Sequence, residues 1–271
     1  MPTIQTDLSE AALVPAIRGN LSEFFRFLAG RLPADQGIEN QDFIRWYTSL
    51  GHPWFNGLLC LSSPEKADSS FIKDSMQYFN QQQVATFTCW LAPHLERADW
   101  ETALSEFGFK FSDGTPGMAL GLQELPASSP TLQGLEISTV EDKTELRVWA
   151  HVFTLGYGLP PNWESTIFDM WFSLGFDLPI HNYLGYLDGE PIATSTVFLG
   201  AGVAGIYDVA TLPQARGKGI GTALTLKPLL DAREMGYHIG VLQSSEMGYN
   251  VYKKLGFRHL CQIENFYLSQ Q

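Results

Sequence analysis

The sequence is poor in cysteine and in basic residues, and it has no long uninterrupted apolar run. Its three cysteines, Cys60, Cys89 and Cys261, lie in apolar segments without metal-ligand spacing, so we expect buried thiols in a reducing cytoplasm and no metal site. Seventeen basic residues face 29 acidic ones, for a net charge of −12, which argues against nucleic acid as a partner. No apolar stretch approaches the roughly 20 residues of a membrane span, and residues 1–7 lack the basic and apolar parts of a signal peptide.

What the chain does have is enough length and apolar character for two cores. It contains 271 residues, of which 45% are hydrophobic and 17% are charged. Residues 124–134 are rich in proline and small polar residues, as is typical of a linker. We therefore predict two domains, over residues 1–127 and 133–271, in a protein that is a monomer or a homodimer.

Residues 206–221 combine the end of an apolar strand, a glycine-rich turn and the start of a helical pattern. The three glycines of the turn are Gly217, Gly219 and Gly221. Without side chains, several backbone N–H groups can point at one anion, and the N-terminus of the helix over 220–235 adds a positive dipole. Arg216 and Lys218 add mobile positive charge at the rim. The stretch predicts a cradle for a pyrophosphate group.

The spacing of this turn decides which pyrophosphate ligand it suits. A Walker loop ends in Gly-Lys-Ser/Thr, whereas Gly219 is followed by Ile220 and Gly221. A dinucleotide fingerprint would place glycine or alanine at Thr222 and an acidic residue near position 240, and neither is present. The segment 216–221, Arg-Gly-Lys-Gly-Ile-Gly, instead resembles the Gln/Arg-x-x-Gly-x-Gly/Ala acyl-CoA loop of the GNAT superfamily of N-acetyltransferases.

A second motif supports the same resemblance. A strand over 238–245 and a helix over 246–255 follow the loop, and Tyr252-Lys-Lys-Leu-Gly-Phe257 is similar to the Tyr-x-x-Leu-Gly-Phe ending of that superfamily. The sequence departs from the commonest pattern at Ser245, where many members carry asparagine, and at Gly248, where alanine is frequent. The resemblance implies an α/β fold with a mixed, mostly antiparallel twisted sheet flanked by helices, and acetyl-CoA (coenzyme A) as the donor.

The resemblance also implies roles for individual residues. Tyr252 would be the general acid that protonates the departing thiolate. The general base is less clear, and Asp208, Glu164 or a chain of water molecules are the alternatives. The acyl-CoA would contact Val209, Ala210, Thr211, Gln214, Arg216, Gly217, Lys218, Gly219, Ile220, Gly221, Thr222, Ser244 and Ser245.

The N-terminal half repeats the element order of the C-terminal half, strand, helix, strand, helix, Gly-Phe and strand, which predicts an internal duplication. Residues 62–70 hold no glycine where the C-terminal half has its loop, and Leu104 stands where Tyr252 would be. We therefore predict two GNAT-like folds in tandem. The N-terminal copy would be degenerate, without a cofactor and without chemistry.

The acceptor is the least determined part of the function. Residues 141–208 carry nine acidic residues against two basic ones, which favours a small primary amine. An aromatic set falls where the superfamily varies its acceptor pocket: Tyr157, Trp163, Phe168, Trp171 and Phe172. A protein N-terminus or lysine stays open as acceptor. The alternatives to an N-acetyltransferase are a non-catalytic acyl-CoA-binding or sensing protein and a nucleotide-binding module.

Overall fold

The structure of the chain, a computed structural model, describes residues 3–33, 36–65, 70–84, 86–128 and 132–269, apart from the side chains of residues 113 and 269. The chain forms two compact units. Unit 1 comprises Met1–Asn20 and Gly117–Leu260, and unit 2 comprises Leu21–Pro116 and Cys261–Gln271.

Helices and strands alternate through both units. The helices are α1 (Glu10–Ala29), α2 (Ser70–Gln81), α3 (Arg97–Ser105), α4 (Lys143–Gly156), α5 (Glu164–Leu174), α6 (Ile220–Glu234) and α7 (Glu246–Lys254). The strands are β1 (Gly37–Glu39), β2 (Phe43–Trp46), β3 (Gly57–Cys60), β4 (Thr86–Leu91), β5 (Lys110–Gly121), β6 (Leu135–Thr139), β7 (Ile180–Leu187), β8 (Glu190–Gly200), β9 (Val203–Thr211), β10 (Ile239–Gln243) and β11 (Arg258–Ser269).

Unit 1 is built on a mixed sheet flanked by helices, with the strand order β5-β10-β9-β8-β7-β6. Neighbouring strands are antiparallel except β9 and β10, which are parallel and are joined by α6. Their register runs from Ala204 opposite Gly240 to Ile206 opposite Leu242. Beyond Ile206, β9 continues to Thr211, and over this stretch it does not pair with β10 in the described part of the chain. The two strands therefore part at their carboxyl ends, which is the predicted position of the site.

Unit 2 has the strand order β1-β2-β3-β4-β11. Its parallel pair, β3 and β4, is joined by α2, and the pairing reaches Cys60 opposite Leu91. The N–H of Ala92 then donates to the carbonyl of Cys60 at 3.0 Å, so this pair stays bonded past its carboxyl ends. Apolar side chains from α2, α3 and the sheet form the core of the unit, including Phe79, Phe87 and Trp100.

The prediction that the cysteine side chains are buried is confirmed for two of the three residues. Cys60 and Cys89 are fully buried thiols, with their Sγ atoms 3.2 Å apart. Cys261 is a thiol as well but is only half-buried. Burial raises the pKa of Cys60 well above its usual value and that of Cys261 to about 11.

Two helices show local features of interest. Helix α1 runs unbroken from Glu10 to Ala29 although Pro15, which cannot donate a helical hydrogen bond, lies inside it. Asp99 lies in the first turn of α3, after the N-cap residue Glu96, whose side chain forms no capping hydrogen bond.

The two units also differ from the predicted domains over 1–127 and 133–271, because each includes a strand from the other half of the sequence. In unit 1, residues 117–121 of β5 pair with β10, from Gly117 opposite Gln243 to Gly121 opposite Ile239. In unit 2, the end of β11 pairs with β4, from Asn265 opposite Trp90 to Ser269 opposite Thr86. A linear boundary could not anticipate this, because strands that pair in a sheet need not be neighbours in sequence.

Candidate active site

The glycine loop has the backbone conformation that its composition predicts. Gly217 and Gly219 have φ values of 77° and 82°, a left-handed region that strains any residue with a Cβ. Gly219 is the N-cap residue of α6, and because it has no side chain it forms no capping hydrogen bond with the helix. The amides of the first turn of α6 are therefore available to an external anion.

The surroundings of the loop leave room for such an anion. A Cβ placed on Gly217 would meet no heavy atom within 4 Å, and one placed on Gly221 would come no closer than 3.7 Å to the Thr211 Oγ1. Gly221 lies in the first turn of α6 and faces the end of β9 at this point. The loop, the first turn of α6 and the open end of β9 thus fit a diphosphate with an extended arm.

The side chain of Arg216 is held in place, which corrects the prediction of mobile charge. Its Nε donates to the Thr211 carbonyl at 3.0 Å, and its Nη2 donates to the Gly156 carbonyl at 2.8 Å. The guanidinium of Arg216 therefore connects the end of β9 to the end of α4. Lys218, in contrast, is exposed at the rim of the loop.

Strand β9 carries a bulge next to the loop. On β8, Thr194 pairs with Ala210 and Thr196 pairs with Tyr207, so one residue of β8 faces two residues of β9. One of these two, Asp208, has a φ of 55°, and its carbonyl accepts a hydrogen bond from the Thr194 hydroxyl at 2.9 Å. The bulge places an acidic residue at the point where β9 leaves β10.

The carboxyl group of Asp208 is desolvated and incompletely bonded. Its Oδ2 is buried and has no hydrogen-bond partner among the described residues. Burial raises the pKa of Asp208 to about 7, and a hydrogen bond with the Thr196 side chain opposes that rise. A carboxylate with this pKa can accept a proton near neutral pH and is a candidate general base.

Tyr252 lies on α7 close to the first turns of α6. Its ring lies against Gly248, where a Cβ would be 2.7 Å from the Tyr252 Cε2, and it meets the Phe257 ring edge-on at 5.9 Å. Gly248, the departure from the family pattern, thus makes room for the tyrosine. Burial raises the pKa of Tyr252 to about 12, offset in part by a hydrogen bond with the Thr225 side chain. The phenol is protonated at neutral pH, as a general acid must be.

Tyr157 lies within electrostatic reach of both groups, a position that no motif in the sequence indicates. Its hydroxyl donates to the Val209 carbonyl at 3.4 Å. The pKa of Tyr157 is raised well above its usual value by burial, then by the charge of Asp208 and by Tyr252. The preceding residue, Gly156, lets α4 approach β9, because a Cβ there would lie 2.8 Å from that of Ala210.

Other candidate residues are engaged within the chain. The Ser245 hydroxyl caps α7 by accepting from the Gly248 N–H at 3.2 Å, and the Ser244 hydroxyl donates to the Ser245 carbonyl at 2.8 Å. Gln214 is exposed in the short 3₁₀ turn after β9, whereas Ala210 and Ile220 are buried. The hydroxyls of Ser244 and Ser245 therefore have bonding partners in the chain without a cofactor.

The alternative base Glu164 lies on the surface. Its Oε2 is 2.8 Å from the Nδ1 of His151, and both side chains are about half exposed, at 40% and 52%. Within the aromatic set, Phe168 and Trp171 are buried in the core of unit 1, where Trp171 packs on Trp149 with ring centroids 4.8 Å apart. Asp208 is thus the acidic candidate that the fold brings to the end of β9.

The described part of the chain holds no cluster of three or more potential metal ligands. No helix in the same part is long and apolar enough to cross a lipid bilayer.

Comparison with known proteins places this geometry in a recognised fold. Residues 146–257, which lie within unit 1, match the sequence model of the acetyltransferase (GNAT) family. No curated protein matches the chain.

Solved structures match over nearly the whole chain. A GCN5-related N-acetyltransferase from Kribbella flavida is 15% identical and superimposes with a TM-score of 0.64, covering 93% of this chain and 95% of its own. One from Sphaerobacter thermophilus is 14% identical, with a TM-score of 0.62 and coverage of 94% and 93%. A tandem GNAT protein from the clavulanic acid biosynthesis pathway is 13% identical, with a TM-score of 0.54 and coverage of 79% and 75%. The chain therefore has the fold of the GCN5-related N-acetyltransferases.

Proposed function

We propose that this chain, with a GNAT acetyltransferase fold and a family match over residues 146–257, transfers an acetyl group from acetyl-CoA to a primary amine. The observation that carries the proposal is the glycine loop of unit 1, where uncovered amides of the first turn of α6 adjoin the diverging ends of β9 and β10. The cofactor would be held by backbone groups from Val209 to Thr211 and from Arg216 to Thr222.

The fit of the loop to coenzyme A rests on charge and on shape. A diphosphate carries negative charge that the N-terminus of α6 and the exposed Lys218 attract. The open end of β9 supplies N–H and C=O groups to an extended amide-containing arm in the manner of an added strand. Acetyl-CoA supplies an activated acyl group, and the protein supplies position and proton transfer.

The proton transfers fall to two side chains with complementary pKa values. As the amine nitrogen attacks the thioester carbonyl, its N–H proton passes to the Asp208 carboxylate, directly or through water. The bond from carbon to sulfur breaks, and the departing thiolate takes the proton of the Tyr252 hydroxyl. At neutral pH an acid with a pKa near 12 is protonated, and a base with a pKa near 7 is ionised in about half of the molecules and in more of them as the pH rises.

Small-molecule amines are the acceptor class that we favour. Asp208 presents a desolvated carboxyl whose Oδ2 has no partner among the described residues, and an ammonium ion approaching it would be attracted and then deprotonated. The acidic excess over residues 141–208 would favour the approach of such a cation from solution.

The proposal is tested by titrating the chain with acetyl-CoA in a calorimeter and then measuring free-thiol release over a panel of primary amines. Binding of one acetyl-CoA per chain with amine-dependent thiol release would support it. Binding without thiol release for any amine, peptide N-terminus or lysine would favour a non-catalytic acyl-CoA-binding or sensing protein. Competition by ATP or NAD without binding of acetyl-CoA would favour a nucleotide-binding module.

A further inference from the structure

Unit 2 contains a surface cleft that is separate from its core. Residues Thr86, Thr88 and Trp90 of β4 alternate with Phe87, Cys89 and Leu91, and the second set lies in the core of the unit. On β11, Asn265 and Tyr267 pair with Trp90 and Thr88, while Phe266 and Leu268 join the core. Because successive side chains of a strand point to opposite faces, the first set lines the cleft on the other face of the sheet.

One wall of the cleft is a short 3₁₀ turn, Pro53–Phe55, and hydrogen bonds hold this turn in place. The side chain of Asn56 is fully buried, accepts from the Thr48 N–H at 2.8 Å and donates to the Leu50 carbonyl at 2.6 Å. The Thr88 hydroxyl, on the floor of the cleft, donates to the Pro53 carbonyl at 3.1 Å. The turn therefore keeps its position over the strands without a ligand.

This fixed turn displays an aromatic ring to solvent. Trp54 is 51% exposed and Tyr267, on the floor, is 37% exposed, which is unusual for side chains of this size. Together with Trp90 they provide three aromatic rings around one cleft. Exposed aromatic side chains on a rigid frame are typical of a binding surface, since little conformational entropy is lost when a ligand covers them.

The chemistry of the cleft selects the ligand. Beside the rings it presents the hydroxyls of Thr86 and Ser112 and the amide of Asn265, whose Nδ2 donates to the Thr115 hydroxyl at 2.9 Å. None of the described lining residues is charged. A charged ligand would lose its hydration without an opposite charge in return, and a purely apolar ring would cover these polar groups without bonding them. A ring with an apolar face and hydroxyl groups along its edge satisfies both requirements.

We propose that this cleft of unit 2 is a binding site for an uncharged sugar of pyranose size. Its volume, about 190 Å³, exceeds the roughly 150 Å³ of a cavity that accommodates benzene, so one six-membered ring with its substituents fits. The C–H face of the ring would lie on the tryptophan side chains, and its hydroxyls would meet Thr86, Ser112 and Asn265. This site is independent of the proposed acetyl transfer, because every lining residue belongs to unit 2.

The test is binding of glucose and galactose to the full chain, measured by saturation-transfer NMR and by titration calorimetry. We expect at least one of the two sugars to bind, and we expect glucuronate and phenol not to compete with it. Trp54→Ala should weaken sugar binding at least about tenfold, which is the loss expected for one ring contact of about 1.4 kcal/mol. The matched control is Leu178→Ala, which removes a side chain with 53% exposure from unit 1 and should leave sugar affinity unchanged.

Trp54→Ala keeps the carbonyl of residue 54 that accepts from the Trp46 indole, so the turn should stay folded, as an unchanged melting temperature would show. Acetyl-CoA affinity should also be unchanged in this variant, which separates the cleft from the proposed acyl transfer. Absence of binding by both sugars up to 50 mM, equal binding by wild type and Trp54→Ala, or binding of phenol in their place would overturn the proposal.

Discussion

The two units contain the same kind of parallel strand pair, but the pair is open in unit 1 and closed in unit 2. In unit 1 the pairing of β9 with β10 ends at Ile206, and the chain then turns through a glycine loop into α6. In unit 2 the pairing of β3 with β4 continues until the Ala92 N–H bonds the Cys60 carbonyl. A ligand that enters as an added strand needs backbone groups that lack a strand partner on one side, and β9 offers such a stretch beyond Ile206.

The difference extends to the helix that follows. Aligning the Gly-Phe endings of the two halves of the sequence sets Leu104 of α3 against Tyr252 of α7. Leu104 is fully buried in the core of unit 2. An apolar side chain at this position cannot donate a proton, so the degenerate copy stays a prediction, and with it one acetyl-CoA per chain.

The largest effect is expected from closing the open pair. Gly221→Val introduces a branched side chain toward the Thr211 Oγ1, in the space between β9 and the first turn of α6. Gly221 does not have a left-handed backbone, so the substitution does not strain the chain there. We expect affinity for acetyl-CoA in titration calorimetry to fall at least about 100-fold, because the side chain covers the amides that bind the diphosphate.

The control for this variant is Gly175→Val, at a glycine with φ of 84° and no neighbour within 4 Å of a Cβ. It is the more strained substitution and should lower the melting temperature more, yet it should leave acetyl-CoA affinity unchanged. If Gly221→Val bound acetyl-CoA as tightly as the wild type, the loop would not be the cofactor site and the comparison between the open and the closed pair would lose its functional meaning.

The second prediction separates binding from chemistry within unit 1. Tyr252→Phe removes one hydroxyl from a buried ring and should lower turnover about 100-fold or more, the usual contribution of a general acid, with acetyl-CoA affinity within about twofold of the wild type. Tyr249→Phe is a matched control on the same helix, because Tyr249 is partly exposed and its hydroxyl is 3.4 Å from the His259 Nδ1. Equal turnover of the two variants would exclude Tyr252 as the acid.

The third prediction concerns the pH dependence of the base. Asp208 accepts a proton only when ionised, so activity should rise with pH through about 7. Asp208→Asn should lower activity about 100-fold and remove that rise. The control is Asp188→Asn, at an exposed aspartate that also has a left-handed backbone, with φ of 52° against 55°. A wild-type profile that is flat between pH 6 and 8 would contradict the assignment.

Raising the pH should increase activity through Asp208 but should lower the free energy of unfolding through the same residue. The pKa of Asp208 is about 7 in the folded chain and near the usual 3.8 after unfolding. Between these pH values the unfolded chain binds fewer protons than the folded one, so this group makes the free energy of unfolding fall as pH rises from about 4 to 7. Denaturant titrations should show a smaller decrease over that range for Asp208→Asn.

The sequence predicted the open pair better than it predicted the closed one. The loop, the strand on either side and Tyr252 are local motifs, and a glycine-rich turn between a strand and a helix can be recognised from spacing alone. Asp208 could be identified only weakly, because its raised pKa depends on a bulge opposite Ser195 and on burial by distant segments. The partition of β5 and β11 between the units depends on long-range pairing, which no local pattern encodes.

The prediction that the charge of Arg216 is mobile was wrong for the same reason, and this residue provides the smallest predicted effect. Local sequence shows its charge but not its acceptors, the carbonyls of Thr211 and Gly156. Arg216→Lys keeps the charge but cannot form this pair of bonds in the same geometry. With a loss of about 1 kcal/mol for two partly exposed hydrogen bonds, the melting temperature should fall by about 2–4 °C, and acetyl-CoA affinity should fall about threefold.

Lys218→Ala makes the complementary change, because Lys218 is exposed beside the same loop. It should leave the melting temperature unchanged while weakening acetyl-CoA binding, and the weakening should diminish as salt screens the charge. Arg216→Lys should show the reverse pattern, a lower melting temperature and a loss of affinity that does not depend on salt. If both variants behaved alike in melting temperature and in salt dependence, the guanidinium would act only through its charge. The bonds from Arg216 to the ends of β9 and α4 would then not be what holds the open pair in shape.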